Sequence, residues 1–380
     1  MPQYLLQAGN TPSLSRYEAA AVMGDSVEKL NERTLLFTAP DDQAAKSLFQ
    51  LLGASIRLVR LEREWQTYTE SKLEAALVEL LTRENPAKLQ FTVAQWGDRD
   101  TTRISQGALK AVLAEKGIKS RFIEGARDGL SAAVLLNQEV MELVVVQQGK
   151  KMLLGTTLVV QDIDHWTAKD RGKPYADRKK GMLPPKIARA MVNLALGNTP
   201  KPGVIVYDPF CGTGTVLMEA LERGAHVVGS DLAHEAAVGA QTNLAWFADR
   251  FHLPAQFQVF QSEVTHVTLN HLPGKIDAIV TEPFLGKPQP KPNELPGMFR
   301  GLEKLYLGAF HQWRSLLRPG ATVVVIFPRV ELPNRPVFDC QNFVDRLATY
   351  GYTRQIDFGQ IRYHRPQAIV QRDIVMFQYQ

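Results

Sequence analysis

The residues best placed to do chemistry lie in one run, Tyr207-Asp208-Pro209-Phe210-Cys211-Gly212-Thr213-Gly214-Thr215. An apolar stretch from Val204 to Val206 leads into it, and a helix-like stretch from Val216 to Leu221 leads out. Strand, glycine turn and helix together bring backbone N–H groups to a ligand at a helix N-terminus. Gly212 and Gly214 are spaced so that the backbone can turn sharply against that ligand. A second apolar run, His226 to Gly229, ends in Ser230-Asp231, which puts Asp231 19 residues after Gly212. An acid at the tip of the second strand, about 20 residues on, is placed to hold ribose hydroxyls. The chemistry implied is nucleotide or nucleoside binding, and the geometry alone allows a dinucleotide enzyme. The turn lacks G-x-G-x-x-G spacing, however, and opens with Asp208-Pro209. Cys211 and Cys340 have no metal-ligand company, and His165, His234 and His271 lack partners at ligand or triad spacing. No metal and no nucleophile is expected.

Asp-Pro-Phe-Cys-Gly-Thr-Gly resembles motif I of the Rossmann-like methyltransferases that act on nucleic-acid amino groups with S-adenosylmethionine. The stretch from Lys169 to Leu196, with Arg171-Gly172-Lys173-Pro174 and Gly181-Met182-Leu183-Pro184-Pro185-Lys186, resembles a narrower group. This is the THUMP-containing tRNA guanosine-10 N2-methyltransferases. The resemblance covers nearly the whole chain and is firmest over residues 154–286. It implies that Asp208, Phe210, Gly212 and Gly214 face the methionine part of the cofactor and that Asp231 holds its ribose. Leu232, Leu183 and Pro184 are expected beside it. An acid after the third strand accepts from the adenine amine in that family, and Glu263 occupies the place.

The family's motif IV, Asp-Pro-Pro-Tyr, falls on Glu282-Pro283-Phe284-Leu285 after the strand-like Ile276 to Val280. The carboxylate sits on a longer arm, and the aromatic moves to a neighbouring position. An exocyclic amine conjugated with its ring is a poor nucleophile. A carboxylate or carbonyl that accepts its protons localises the lone pair and stabilises the positive charge developing on nitrogen. Glu282 is assigned that role, with help from the Pro283 carbonyl, and Phe284 is assigned the stacking of a base taken out of its helix. The departure from the motif leaves room for an impaired enzyme.

These groups need elements to hold them. Toward the N-terminus the pattern reads strand 3–8, helix 14–22, strand 35–37, helix 41–52 and strand 56–61, a small α+β module. Leu73, Ala76, Leu77, Leu80 and Leu81 fall at helical spacing within 70–85. Strand 91–94, helix 107–116, strand 120–123, strands 132–136 and 142–146, and a run over 153–162 complete a series that resembles the THUMP RNA-binding domain. Leu130-Ser131-Ala132-Ala133-Val134 and Leu154-Gly155-Thr156-Thr157 carry that likeness. Eight basic residues lie between Lys169 and Arg189, among them Arg171, Lys173, Arg178, Lys179 and Lys180. These five are assigned to RNA phosphates, although composition alone equally allows a solvated connector. Beyond Asp231 come helix 233–247, strand 257–260, a proline-rich loop over 287–297, helix 302–317, strand 321–327, helix 342–350 and a closing antiparallel pair, 352–361 with 372–377. Tyr363-His364-Arg365 reads as a solvated hairpin tip.

The expected organisation is an α+β module at 1–62, a THUMP-like domain at 63–165, a basic linker at 166–180 and an α/β Rossmann-like methyltransferase domain at 181–380. At 380 residues, with 45% apolar composition, the chain has ample material for such cores. A net charge of +5 is compatible with a polyanionic partner without requiring one. Two cysteines suit a reducing interior, and no apolar run reaches the ~18 residues of a membrane span, so a cytoplasmic protein is expected. The function expected is methylation of the N2 amine of guanosine-10 in tRNA by S-adenosylmethionine, with oligomeric state and any helper subunit open. The alternatives are another exocyclic amine (rRNA guanine, another tRNA position, DNA adenine) or a non-catalytic RNA-binding protein that retains the fold.

Overall fold

The computed structural model describes residues 1–97, 104–176, 182–365 and 368–380. The chain forms two compact units, one of Met1–Pro12 with Met23–His165 and one of Ser13–Val22 with Trp166–Gln380.

Alternation of strand and helix signals in the first unit gives β1 (Gln3–Ala8), α1 (Pro12–Met23), β2 (Glu28–Asn31), β3 (Thr34–Thr38), α2 (Asp42–Leu51) and β4 (Ser55–Trp65). The series continues with α3 (Glu70–Thr82), β5 (Lys88–Gly97), α4 (Gln106–Glu115), β6 (Lys119–Phe122), α5 (Ala132–Asn137), β7 (Val140–Gln148) and β8 (Lys151–Val160). The strands make one sheet in the order β2-β3-β1-β4-β8-β7-β5-β6. Residues 1–62 and 63–165 therefore share a sheet: the boundary expected at residue 62 falls inside β4, which pairs with both β1 and β8. The five inward residues predicted for α3 are all buried, and Thr69 caps the helix by accepting from the Lys72 N–H. The strand expected over 132–136 is instead helix α5, capped by the Ser131 hydroxyl at the Val134 N–H. So short an apolar run has no period by which to separate strand from helix, and the serine cap decides it.

Inside this unit Arg57 and Glu142 form a buried ion pair, 2.9 Å apart. Glu142 also accepts from the Leu130 N–H and the Thr157 hydroxyl, while Arg57 donates to the Leu130 and Asp128 carbonyls. Each charge thus has the extra partners that make burial tolerable.

The second unit contains residues 13–22 of α1, whose Glu18 accepts from Asn193 at 2.7 Å. Its other elements are α6 (Ile163–Arg171), α7 (Pro185–Leu196), β9 (Ile205–Asp208), α8 (Thr215–Glu222), β10 (His226–Asp231) and α9 (His234–Arg250). They are followed by β11 (Phe257–Gln261), β12 (Ile276–Thr281), α10 (Leu295–Leu316), β13 (Leu317–Val330), α11 (Gln341–Arg346), β14 (Tyr352–Tyr363) and β15 (Val370–Tyr379). The sheet order is β11-β10-β9-β12-β13-β15-β14. Its first five strands are parallel, β15 is antiparallel to β13, and β14 is antiparallel to β15. Val, Ile and aromatic runs buried on both faces produce β9, β10, β12 and β13, as such strands require, while the edge strand β11 is partly exposed. Tyr306, Phe310 and Trp313 of α10 pack with Phe327, Phe343, Tyr352 and Phe377 in one core. Part of the expected loop over 287–297 is α10, which begins at Leu295 rather than at 302.

Part of the expected linker is structured as well. Lys169 of α6 is buried against Glu219 and Glu222, which also bind Arg189, and its ammonium lies 4.6 Å from the Trp166 ring centre. It cannot serve a solvated phosphate surface.

Candidate active site

β9 ends in Asp208 and β12 ends in Thr281, neighbours in the parallel sheet, so their C-terminal ends open into one crevice. The Thr281 hydroxyl donates to Asp208 at 2.6 Å, and the Phe210 N–H donates to the same oxygen at 3.1 Å. Asp208 is almost wholly buried, and that burial pushes its carboxyl up to about 7. The two hydrogen bonds oppose the shift, while nearby Asp231 and Glu282 add to it. Asp231, at the tip of β10, is fixed by two backbone N–H groups, Gly212 at 3.0 Å and Ala233 at 2.9 Å. Gly214 caps α8 at φ +80°, a conformation that side chains resist, and a Cβ there would meet Ala240 at 3.3 Å.

The cleft is lined by Asp208, Phe210, Gly212, Asp231, Leu183 and Glu282 from the sequence-derived set, and by Tyr175, Met182 and Ala236 among others. Three carboxylates beside an apolar wall suit a molecule that carries a sulfonium, an ammonium and an adenine. Pro184 caps α7 next to Leu183. Leu232 follows Asp231 and is 68% exposed, free to cover a flat ring. Glu263 is not among the cleft-lining residues: its carboxylate caps the short turn Val264–His266 by accepting from Thr265.

Glu282 lies at the mouth, its Oε1 2.5 Å from Arg372 Nε on β15. Pro283 is buried, and Phe284 is 62% exposed with its carbonyl accepting from the buried Tyr306 hydroxyl at 2.7 Å. An aromatic ring held out in solvent by a fixed backbone is available for stacking.

The basic set divides. Arg171 is exposed at the end of α6. Lys173, expected at phosphates, is instead buried and donates to the Thr215 hydroxyl at 3.1 Å, with its ammonium pushed down by burial. Arg178, Lys179 and Lys180 lie outside the described residues.

Sequence reasoning missed the device that holds the segment around Tyr175. The amide of Asn243, on α9, accepts from the Tyr175 N–H at 2.8 Å and donates to the Tyr175 carbonyl at 2.9 Å. It also donates to the Thr213 carbonyl in the glycine turn at 2.9 Å. The Tyr175 ring lies on Gly239, where a Cβ would stand 2.1 Å from ring carbon Cδ1. Asn243 carries no local signal, since its partners are 30 and 68 residues away.

Residues 174–329 match the model of the UPF0020 family, an RMKL-like methyltransferase domain. The match likens this segment to a methyltransferase domain. The acidic lining of the crevice described above fits a cationic cofactor such as S-adenosylmethionine. Among curated proteins, the chain is 31% identical over 179 residues to a tRNA (guanine(10)-N2)-dimethyltransferase of Methanothermobacter thermautotrophicus, covering 47% of this chain and 48% of that protein. It is 39% identical over 128 residues to the protein of the same name from Methanocaldococcus jannaschii, covering 33% and 35%. The chain thus spans about half or less of the length of these relatives. TrmN from Thermus thermophilus aligns over all of both chains with a TM-score of 0.57 at 17% identity, a likeness of fold. Among the described residues no cluster could hold a metal, and no helix is long and apolar enough to cross a membrane.

Proposed function

We propose that the methyltransferase domain transfers a methyl group from S-adenosylmethionine to the N2 amine of a guanosine in tRNA, guanosine-10. The observation that carries this reading is the junction of β9 and β12. One hydrogen bond, Thr281 to Asp208, ties the strand end that meets the cofactor to the strand end that presents Glu282. Donor and acceptor are thereby held side by side, and positioning of this kind accounts for much of the rate of a displacement reaction. The names of the two archaeal relatives support the target.

When bound, S-adenosylmethionine supplies a methyl group on a sulfonium. Asp208 and the turn at Gly212 hold the methionine end, Asp231 holds the ribose, and Leu232 and Leu183 flank the adenosine. Glu282 accepts a proton of the amine, Pro283 adds its carbonyl, and Phe284 stacks on the displaced base. The amine lone pair forms the new N–C bond as the C–S bond breaks with its electrons remaining on sulfur. The nitrogen then loses its proton to Glu282 or solvent. The first unit, read as a THUMP-like module, and Arg171 hold the tRNA by shape and backbone, so binding should weaken steeply with salt.

The deciding experiment follows labelled methyl from S-adenosylmethionine into tRNA transcripts with guanosine-10 present or replaced, for wild type and Glu282→Ala. Label that requires both guanosine-10 and Glu282 is the expected result. Label indifferent to guanosine-10 moves the target to another nucleotide. No label on any RNA, with cofactor bound, favours a binding protein.

A further inference from the structure

Glu282 stands on an arm one methylene longer than the aspartate of the family's motif, so its carboxylate has an additional bond to immobilise. The sheet supplies the means. Arg372, on antiparallel strand β15, puts Nε 2.5 Å from Glu282 Oε1. Both side chains are mostly buried, 14% and 17% exposed. Arg372 is held in turn: it sits opposite Tyr363 in the β14–β15 register, with its guanidinium carbon 6.0 Å from that ring's centre. Arg365 donates to the Tyr363 hydroxyl at 3.2 Å and to the carbonyl of Met182, which lines the cofactor cleft. A chain of contacts therefore runs from the carboxylate through the closing hairpin to the cofactor wall. One oxygen of Glu282 is occupied by Arg372, and Oε2 has no hydrogen-bond partner among the described residues.

We propose that Arg372 is a positioning residue for methyl transfer, pinning Oε1 of Glu282 so that Oε2 faces the incoming guanine amine. This rests on the function proposed above. The role is orientation rather than proton abstraction, because a guanidinium has donors only and cannot itself take the proton of the amine. An amine that has gained a methyl group and a positive charge sheds its proton readily, so a strong base is not required.

The test compares wild type, Arg372→Ala, Arg372→Lys, Glu282→Gln and the Ala/Gln double variant. It measures single-turnover methyl transfer, S-adenosylhomocysteine affinity, and the arginine Nε–H signals in 15N NMR. In NMR, guanosine 5′-monophosphate is the fragment carrying the amine, and inosine 5′-monophosphate, which lacks it, is the control. Arg372→Ala should slow transfer 10- to 100-fold with cofactor affinity within twofold, Arg372→Lys should recover part, and the double variant should be no slower than Glu282→Gln. One Nε–H signal should vanish in Arg372→Ala, shift in Glu282→Gln, and respond to the guanosine but not the inosine nucleotide. Losses that multiply in the double variant, or an Arg372 signal indifferent to Glu282→Gln, overturn the proposal. If wild type methylates no RNA, the proposed function fails. The NMR then decides the contact by itself: a guanosine-specific response sustains Arg372 as the residue that orients Glu282 toward the amine, and its absence ends the proposal.

Discussion

Asp208 makes cofactor binding a titration. Burial holds its carboxyl near 7, whereas the ammonium of a bound methionine moiety would require it ionised. Binding must then draw on the ionised fraction, so the apparent Kd scales as one plus ten to the power of pKa minus pH. At pH 5.5 that factor is about 30, a penalty of roughly 2 kcal/mol, and above pH 8 the factor is about one and the penalty is gone. Asp208→Asn preserves an oxygen for Thr281 and the Phe210 N–H, so the turn should survive while the titration disappears. The same shift has a stability counterpart. A carboxyl raised in the folded state binds more protons folded than unfolded between its ordinary value of 3.8 and about 7. The protein is therefore stabilised on the acid side, and about 4 kcal/mol from this group is lost as pH rises from about 4 to about 7. Asp208→Asn should be the more stable protein at pH 8 and the weaker binder. Calorimetry in buffers of differing ionisation heat, from pH 5.5 to 8, measures affinity and proton release together. An affinity constant to within twofold across that range, with no proton released at pH 6, refutes the reasoning.

Asn243→Ala removes three hydrogen bonds that fix Tyr175 to the glycine turn, and should weaken S-adenosylhomocysteine binding about tenfold or more in calorimetry. Gly239→Ala drives a methyl into the Tyr175 ring and should cost roughly 1–3 kcal/mol of the same affinity. Phe284→Ala removes an exposed ring that touches only the displaced base in this reading. It should slow methyl transfer by an amount equivalent to about 1–3 kcal/mol while leaving cofactor affinity within twofold. Arg57→Ala strands the Glu142 carboxylate in the first unit and should lower stability to denaturant by about 3–5 kcal/mol.

What could be read in advance was whatever depends on neighbours in sequence. The turn at Gly212, the acid at Asp231 and the carboxylate at Glu282 sit at strand ends, where a strand, a glycine and an acid are enough to locate them. The helix at Leu73 to Leu81 was legible because its buried face repeats over several turns. Short or distant relations were not. The five apolar residues from Ala132 to Leu136 have no period, and Ser131 turns them into a helix. Lys169 and Lys173 look like solvated charges because their partners, Glu219 and Thr215, lie 50 and 42 residues on. The sheet continuous through residue 62 depends on β4 pairing with β8, about a hundred residues away. Arg372 was invisible for the same reason, 90 residues from Glu282.

Those distant relations are what make the legible ones workable. Asp208, Asp231 and Glu282 line one cleft, and like charges so close repel each other. Each is given its own donors: a hydroxyl and an N–H for Asp208, two N–H groups for Asp231, a guanidinium for Glu282. The neutral donors orient their carboxylates without cancelling the charge, and the guanidinium of Arg372 goes to Glu282, the acid assigned to the base rather than to the cofactor. Asp208 and Asp231 thus receive neutral donors, and burial first, with the neighbouring Asp231 and Glu282 second, keeps the Asp208 carboxyl elevated. A cofactor carrying a sulfonium and an ammonium brings the positive charge that favours its ionised form. The cost of ionising the buried Asp208 and the affinity for the cofactor are then two readings of one electrostatic arrangement, which is why a single substitution at Asp208 should move stability and affinity in opposite directions.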